Sequence, residues 1–192
     1  MPILTLSLTC QTPLRIADGD GWAVRRNPAG QPCIPATAIK GRLRATVEHI
    51  ANGFDWPICG GALCYPLDGE PCAVCQLFGS RWREGRLAFS DLVTNNAPVM
   101  LDRQRAARSR VRGVSGEVDR FKGEMLPAGT ILIGTLAHGL SADWQLALVI
   151  AGLHAMNTLG SSGALGWGAF TIAIGGAPDY STLADALRVR VG

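Results

Sequence analysis

Alternating apolar and polar side chains mark the beginning of the chain. From Leu4 to Cys10 every second side chain is apolar, within the stretch 3–10. A period of two residues is typical of a β-strand that buries one face, so 3–10 is predicted to be a strand. Shorter apolar runs predict three further strands, at Arg86–Leu92, Thr130–Leu136 and Trp167–Ile174.

Two other segments have the spacing of helices. After Pro35, the apolar residues at 39, 43, 47 and 50 form one stripe, which predicts a helix from 36 or 37 to about 50. The stretch Ala142–Leu159 is mostly apolar and predicts a well-buried helix. The resulting order β-α-β-β-α-β predicts an α+β domain of the ferredoxin-like type.

Two insertions interrupt this order. Residues 53–80 are rich in Cys, Gly and Pro and are predicted to be irregular. Residues 94–123 are polar and rich in Arg, which predicts a protruding hairpin. We expect a single domain of 192 residues. Its parts are a central palm (about 1–56, 81–93 and 124–192), a metal knuckle (about 57–80) and a thumb (about 94–123).

The composition excludes a disordered chain and a membrane span. Hydrophobic residues make up 47% of the 192 positions and the mean hydropathy is +0.18, which is enough apolar material for a sizeable core. No apolar run approaches the roughly 20 residues that cross a bilayer. The first residues have no basic region of a secretory signal, so a cytoplasmic location is expected.

The basic residues are unevenly distributed. The formal charge is only +3, but 16 of the 18 basic residues are Arg, and Arg81–Arg112 contains eight Arg against three acids. Arginine forms bidentate bonds with phosphate, so this segment predicts a surface that follows a phosphate backbone. A solvated charged hairpin is the alternative. Five arginines are the candidates for phosphate contact, and their mostly alternating spacing would place several of them on one face of a strand: Arg103, Arg105, Arg108, Arg110 and Arg112.

Four cysteines have the spacing of a metal site. Cys59, Cys64, Cys72 and Cys75 form the pattern C-x4-C-x7-C-x2-C. Two closely spaced pairs across a short loop supply the four thiolates of a tetrahedral structural zinc site, and such a site leaves no open position for catalysis. His49 is a candidate substitute for one cysteine. The alternative is four reduced thiols in a loop.

Two further segments suit anion binding. The turn and predicted helix start at 34–44 place Lys40, Arg42 and Arg44 near a helix N-terminus, although an ordinary amphipathic surface helix explains them equally well. The loop 160–168 has four glycines and two serines but lacks the lysine of a nucleotide-binding P-loop. Its backbone N–H groups suit phosphate, and its candidate contacts are Gly160, Ser161, Ser162, Gly163, Gly166 and Trp167.

Three segments together resemble one family. Ile34–Arg44 is similar to an Ile-Pro-Gly-Ser-Ser-Leu-Lys-Gly-x-Leu-Arg signature. Cys72–Ser80, followed by Gly85–Asp91, is similar to a zinc segment and the strand after it. Gly160–Gly168 is similar to a Gly-Ser-x-Gly-x-Arg-Gly-Tyr-Gly loop. All three resemble the RAMP superfamily, in particular the guide-RNA-binding backbone subunits of type III-like or compact type VII CRISPR effector complexes.

This resemblance implies a modified ferredoxin-like (RNA-recognition-motif-like) palm and a role in antiviral defence. Copies of the subunit would stack head to tail along a CRISPR guide RNA, and the thumb would wedge into the duplex with target RNA. Lys40, Arg42 and Arg44 would contact guide phosphates, and the loop Gly160–Gly168 would pack on the guide backbone. Implied partners also include a cap subunit at the guide 5′ end and, as an open alternative, a separate nuclease, in a prokaryotic cytoplasm.

The resemblance leaves open whether the subunit cuts RNA. In the family, an aspartate before the Ile-Pro signature supports cleavage of target RNA; here Asp20 is the candidate catalytic residue, and Asp18 fits less well. Mg²⁺ would be required only in that case. A non-catalytic scaffold is the leading hypothesis. A histidine-dependent guide-processing nuclease and a zinc-ribbon module without RNA are the weaker ones.

Overall fold

The computed structural model describes residues 1–17, 23–59, 71–108, 115–160 and 166–178 together with Leu187; residues 101–108 and 115–122 are described by their backbone. In chain order the elements are β1 (Ile3–Cys10), β2 (Cys33–Ile34), α1 (Ala36–Gly53), α2 (Ala73–Phe78), β3 (Gly79–Ser80), β4 (Arg83–Glu84), β5 (Leu87–Phe89), β6 (Leu92–Val93), β7 (Val99–Arg108), β8 (Ser115–Met125), β9 (Ile131–His138), α3 (Asp143–Ala155) and β10 (Phe170–Gly175).

One antiparallel sheet forms the centre of the molecule. Its strand order is β10-β1-β9-β6-β2, and β5 also pairs with β9. The first strand, β1, lies between the last two, with Leu6 opposite both Ile174 and Gly134. Taking β5 and β6 together as one interrupted strand, the order along the chain is β-α-β-β-α-β, as the pattern predicts. The predicted α+β class is therefore confirmed, and the structure adds that the strands of the sheet are antiparallel.

The hydrophobic core lies between this sheet and the two long helices. Alternate residues of β1, such as Leu4, Leu6 and Leu8, are buried, whereas Ile3 on the opposite face is 61% exposed. The buried residues of α1 are Ile39, Leu43, Val47 and Ala51, so three of the four predicted positions are buried, and Ala51 takes the place of Ile50, which is half-buried. Both α1 and α3 contribute buried residues to this single core.

A glycine lets the two long helices approach each other. A Cβ atom added to Gly152 of α3 would stand 2.6 Å from Cγ2 of Val47 and 2.9 Å from Cδ1 of Leu43, both in α1. Contacts this short do not occur in real proteins, so a larger residue at 152 would require the side chains of Val47 and Leu43 or the helices themselves to move. Glycine at this position therefore suits the close packing of α3 on α1.

The second insertion contains the predicted hairpin. In the part of the chain that the structure describes, strands β7 and β8 form a separate two-stranded sheet, from Val99 opposite Met125 to Arg108 opposite Ser115. The register shifts between Ala106 and Arg108, so the regular two-residue alternation ends there. The hairpin joins the rest of the fold through Leu126, which bridges Leu14.

Three details differ from the sequence prediction. Part of the segment expected to be irregular forms α2, whose residues Val74, Leu77 and Phe78 are buried. The strand expected at 86–92 is divided into β5 and β6: at the break the N–H of Ser90 donates to the carbonyl of Thr135, while the N–H of Thr135 donates to Oγ of Ser90 instead of a main-chain carbonyl. Helix α3 ends at Ala155 rather than 159, since the N–H of Leu159 donates to Gly168 instead of to the helix.

No helix in the described part of the chain is long and apolar enough to cross a membrane.

An acidic side chain distant in sequence caps α1. The N-cap residue, Pro35, offers no side-chain acceptor, and the first turn contains no acid. The backbone N–H of Ala36 instead donates to Oδ1 of Asp91 at 2.8 Å. A carboxylate at this end also complements the helix dipole, so Asp91 ties the start of α1 to the strand region after β5.

We predict that Asp91→Ala lowers the free energy of unfolding by about 0.5–2 kcal/mol, the usual cost of losing an N-terminal cap. Asp91→Asn is the matched control, because its amide oxygen still accepts the hydrogen bond and should retain most of the stability. Urea unfolding of both variants measures the difference. Equal stability of Asp91→Ala and wild type would mean that the cap is not stabilising.

Candidate nucleic-acid interface

The start of the glycine-rich loop lies beside α1. Nη2 of Arg42 donates to Oγ1 of Thr158 at 3.1 Å, which joins the 34–44 segment to the chain just before Gly160. Between them is a cleft of about 460 Å³. It is lined by Thr37, Ala38, Gly41, Arg42, Ala45, Thr158, Leu159 and Gly160. Two of the three signature segments therefore meet at one surface.

This surface continues along α1. A second cleft, of about 540 Å³, is lined by Arg42, Ala45, Thr46, His49, Ile50 and Ala155. The two clefts share Arg42 and Ala45, so they are neighbours on the same side of the helix. Arg42 is exposed, and its guanidinium lies where the two meet. We call these two clefts together the α1 groove.

Two glycines of the loop are required by the fold itself. Gly168 has a φ of +76°, and an added Cβ would overlap the carbonyl oxygen of Leu159. Gly160 has a φ of +91°, and its Cβ would stand 2.5 Å from the carbonyl oxygen of Arg15. By contrast, Gly166 has a φ of +75°, but an added Cβ there would meet no atom of the described residues within 4 Å. Close packing within the chain, rather than a ligand, accounts for Gly160 and Gly168.

The three basic residues of α1 do not share one face. Arg44 lies on the side opposite the α1 groove: its guanidinium bonds to Oε1 of Glu48 at 3.1 Å, to the carbonyl of Gly79 at 3.3 Å and to Sγ of Cys75 at 3.8 Å. Lys40, one turn earlier and half-buried, is on the same side as Arg44. Arg42 is therefore the α1 cation that lines the groove.

Several predicted contacts lie outside the described residues or are described by backbone only. Ser161, Ser162, Gly163, Arg110 and Arg112 lie outside, as does the catalytic candidate Asp20. The backbone of Arg103 and Arg105 belongs to the regular part of β7, and Arg108 follows the register shift. Trp167 is half-buried.

Three of the four predicted metal ligands lie together. Sγ of Cys59 is 3.5 Å from Sγ of Cys75 and 3.6 Å from that of Cys72. Four sulfurs at 2.3 Å from a tetrahedral zinc ion are about 3.8 Å apart, so this spacing fits zinc. Cys64 lies outside the described residues. His49 is not part of the cluster; it lines the α1 groove instead.

The surroundings of the cluster favour thiolates. Burial raises the pKa of Cys72, but hydrogen bonds from the backbone and thiols of Cys75 and Cys59 outweigh it and lower that pKa to about 7. Arg44 places a positive charge beside Cys75. The lowered pKa and the nearby positive charge both favour the thiolate form of these cysteines. Metal binding requires deprotonated sulfur, so both effects favour a metal site. The bonds of Arg44 to Gly79 and Cys75 and the cap at Asp91 were not evident from the sequence, since each joins residues more than 30 positions apart.

We predict that Gly168→Ala destabilises the chain more than Gly166→Ala. The left-handed conformation costs either alanine about 1–2 kcal/mol, but only at 168 does the methyl group also overlap backbone. Thermal unfolding measures the loss of stability in each variant, and both variants make the same Gly-to-Ala change at a positive φ. Similar losses at both positions would contradict the packing described for this loop.

We predict that the purified chain contains about one zinc ion, which metal analysis measures. Cys75→Ser should reduce the zinc content because it removes one sulfur ligand. Cys33→Ala is the matched control: this cysteine is buried in β2, outside the cluster, and its loss should leave the zinc content unchanged. Metal-free wild-type protein would refute the zinc assignment.

Comparison with known proteins identifies the family. No curated protein sequence matches the chain. Among solved structures, a chain titled "Type IV-B CRISPR Complex" superposes with a TM-score of 0.64 at 20% identity, covering 93% of this chain and 96% of that one. A chain from "Cryo-EM structure of the Type III-B Cmr-beta bound to cognate target RNA" superposes with a TM-score of 0.69 at 16% identity, covering 90% of this chain and 60% of that one.

At these identities the two likenesses show the fold, in which this chain spans nearly all of the type IV-B relative and about three fifths of the type III-B one. The sequence itself matches the model of the RAMP superfamily over residues 7–171, which includes all three signature segments. The chain belongs to the RAMP superfamily.

Proposed function

We propose that this chain is a backbone subunit of a CRISPR effector complex, which binds guide RNA, assembles in several copies along it and positions the duplex of guide and target RNA. Membership of the RAMP superfamily supports the class of complex. The observation that carries the proposal is the α1 groove, where Arg42 and Gly160 from two separate signature segments line one cleft.

The chemistry of the α1 groove suits a sugar–phosphate backbone. Arg42 offers a charged donor beside the hydroxyl of Thr158, and Gly160 lines the same cleft. These groups contact phosphate and sugar without reading base sequence. Specificity in such a complex would come from base pairing between guide and target, as in other RNA-guided systems.

The β7–β8 hairpin is the proposed thumb, and the cysteine cluster is proposed to hold structural zinc in the knuckle. Zinc would fix the segment before α2, and α2 leads directly into the β3–β4 turn. Through Arg44 this region is also bonded to α1. The metal would thus stabilise the side of α1 that faces away from the groove.

A second candidate function is cleavage of target RNA through Asp20. One observation favours it: Ala17 and Val24, which flank that segment, pair with each other, and the N–H of Val24 donates to Oε2 of Glu124 at 3.0 Å. Glu124 is near the end of β8, so the segment begins and ends beside the base of the proposed thumb. Loss of evenly spaced target cuts in Asp20→Ala, with guide binding retained, would support this function.

We predict that Arg42→Gln weakens binding to single-stranded RNA. Loss of one phosphate contact should reduce the slope of log affinity against log salt by about 0.7. The matched control is Arg86→Gln: Arg86 bonds to Ser141 near the opposite end of α3, and its loss should leave the slope unchanged. Fluorescence anisotropy across a salt series measures both. If the salt dependence of binding has the same slope in Arg42→Gln and wild type, the RNA does not bind in the α1 groove.

A further inference from the structure

A short hairpin after α2 holds a tryptophan out in solvent. Strands β3 and β4 pair with Gly79 opposite Glu84, and Arg81 and Trp82 form the turn between them. Trp82 is 64% exposed, and the guanidinium carbon of Arg81 lies 5.6 Å from the centre of its ring. The indole therefore presents an aromatic face that can stack with a planar ligand.

The backbone holds this hairpin in one shape. Gly79 has a φ of +87°, and a Cβ there would stand 2.6 Å from the nitrogen of Gly85. A Cβ on Gly85 would in turn overlap the carbonyl of Phe78. The N–H of Trp82 donates to Oγ of Ser80 at 3.2 Å. A preformed platform loses little conformational entropy on binding, which favours a role in recognition.

The cleft beside the hairpin is basic. It has a volume of about 790 Å³ and is lined by residues 78–85 together with Arg44. Its charged residues are three arginines, at positions 44, 81 and 83, and one acid, Glu84. An exposed indole surrounded by arginines matches a nucleotide: the base stacks on the ring, and the cations face its phosphates.

The sheet offers no comparable surface. RNA-recognition domains of related topology stack bases on aromatic residues of the open sheet face. Here the positions that alternate with the buried ones on β1, β9 and β10 are aliphatic, hydroxyl or glycine residues: Ile3, Thr5, Ser7, Thr9, Ile131, Ile133, Thr135, Ala137, Thr171, Ala173 and Gly175. The other exposed aromatic in the described part of the chain, Phe54, is 39% exposed and lies against Trp56.

We propose that Trp82 stacks on an unpaired nucleobase of the bound RNA, while Arg81 and Arg83 contact the adjacent phosphates. This proposal rests on the proposed RNA-binding function and adds a second contact site, on the side of α1 opposite the groove. It predicts that part of the affinity depends on the presence of a base, whereas contacts at Arg42 depend on phosphate alone.

The test measures binding of two probes to the full-length chain: an oligouridylate, and an abasic ribose-phosphate oligomer of the same length. Trp82→Ala should weaken binding of the oligouridylate by about 5- to 150-fold, the range for loss of one base–aromatic stack. The affinity of Trp82→Ala for the abasic probe should equal that of wild type. Trp82→Phe retains a ring and should stay within about threefold of wild type.

Ile3→Ala is the matched control for loss of exposed apolar surface. Ile3 is 61% exposed, close to the value for Trp82, but lies on the sheet face, and its substitution should not alter the affinity for either probe. The oligouridylate should also quench the fluorescence of Trp82, which is the part of the wild-type tryptophan emission that Trp82→Phe lacks.

The outcomes separate this proposal from the one on which it rests. Failure of wild type to bind either probe would contradict the proposed function. If wild type and Trp82→Ala bind the oligouridylate with the same affinity, the stacking site is overturned, while the proposed RNA-binding function stands. Equal weakening of both probes would also overturn it, because no base would be involved. Reduced self-association of Trp82→Ala with unchanged RNA affinity would assign the hairpin to contacts between copies of the chain.

Discussion

The packing of α3 against α1 brings the two signature segments of the candidate surface together. Gly152 of α3 leaves room for the side chains of Val47 and Leu43 in α1. Beyond the end of α3, Thr158 accepts a hydrogen bond from Arg42, and Gly160 lines the same cleft. Two segments more than 100 positions apart in sequence thereby form one surface.

Helix α1 also links this surface to the opposite side of the molecule. Its Arg42 lines the groove, whereas Arg44 bonds to Cys75 and to the carbonyl of Gly79. The cysteine cluster, α2 and the β3–β4 hairpin are therefore attached to the same helix that carries the groove. In the proposed function this arrangement places a phosphate contact and a base-stacking site on two sides of one rigid element, with the metal site supporting the second.

Periodicity was sufficient to predict the elements with a long repeating pattern. The alternation at 3–10 and the stripe from Ile39 to Val47 predicted β1 and α1, because one buried face dictates their spacing. Helix α2 has only six residues, too few for a helical repeat to stand out among cysteines and glycines. The cap at Asp91 and the inward position of Arg44 depend on tertiary packing, so a local pattern could not reveal them. The same holds for Gly168, whose role is set by the carbonyl of Leu159 rather than by neighbours in sequence.

The most direct measurement is a structure of this chain assembled with guide RNA. If the proposed function is right, the RNA backbone runs through the α1 groove, with a phosphate within hydrogen-bond distance of the Arg42 guanidinium and the sugar–phosphate chain against Gly160. An RNA path over the open face of β1 and β9, with the groove empty, would contradict it.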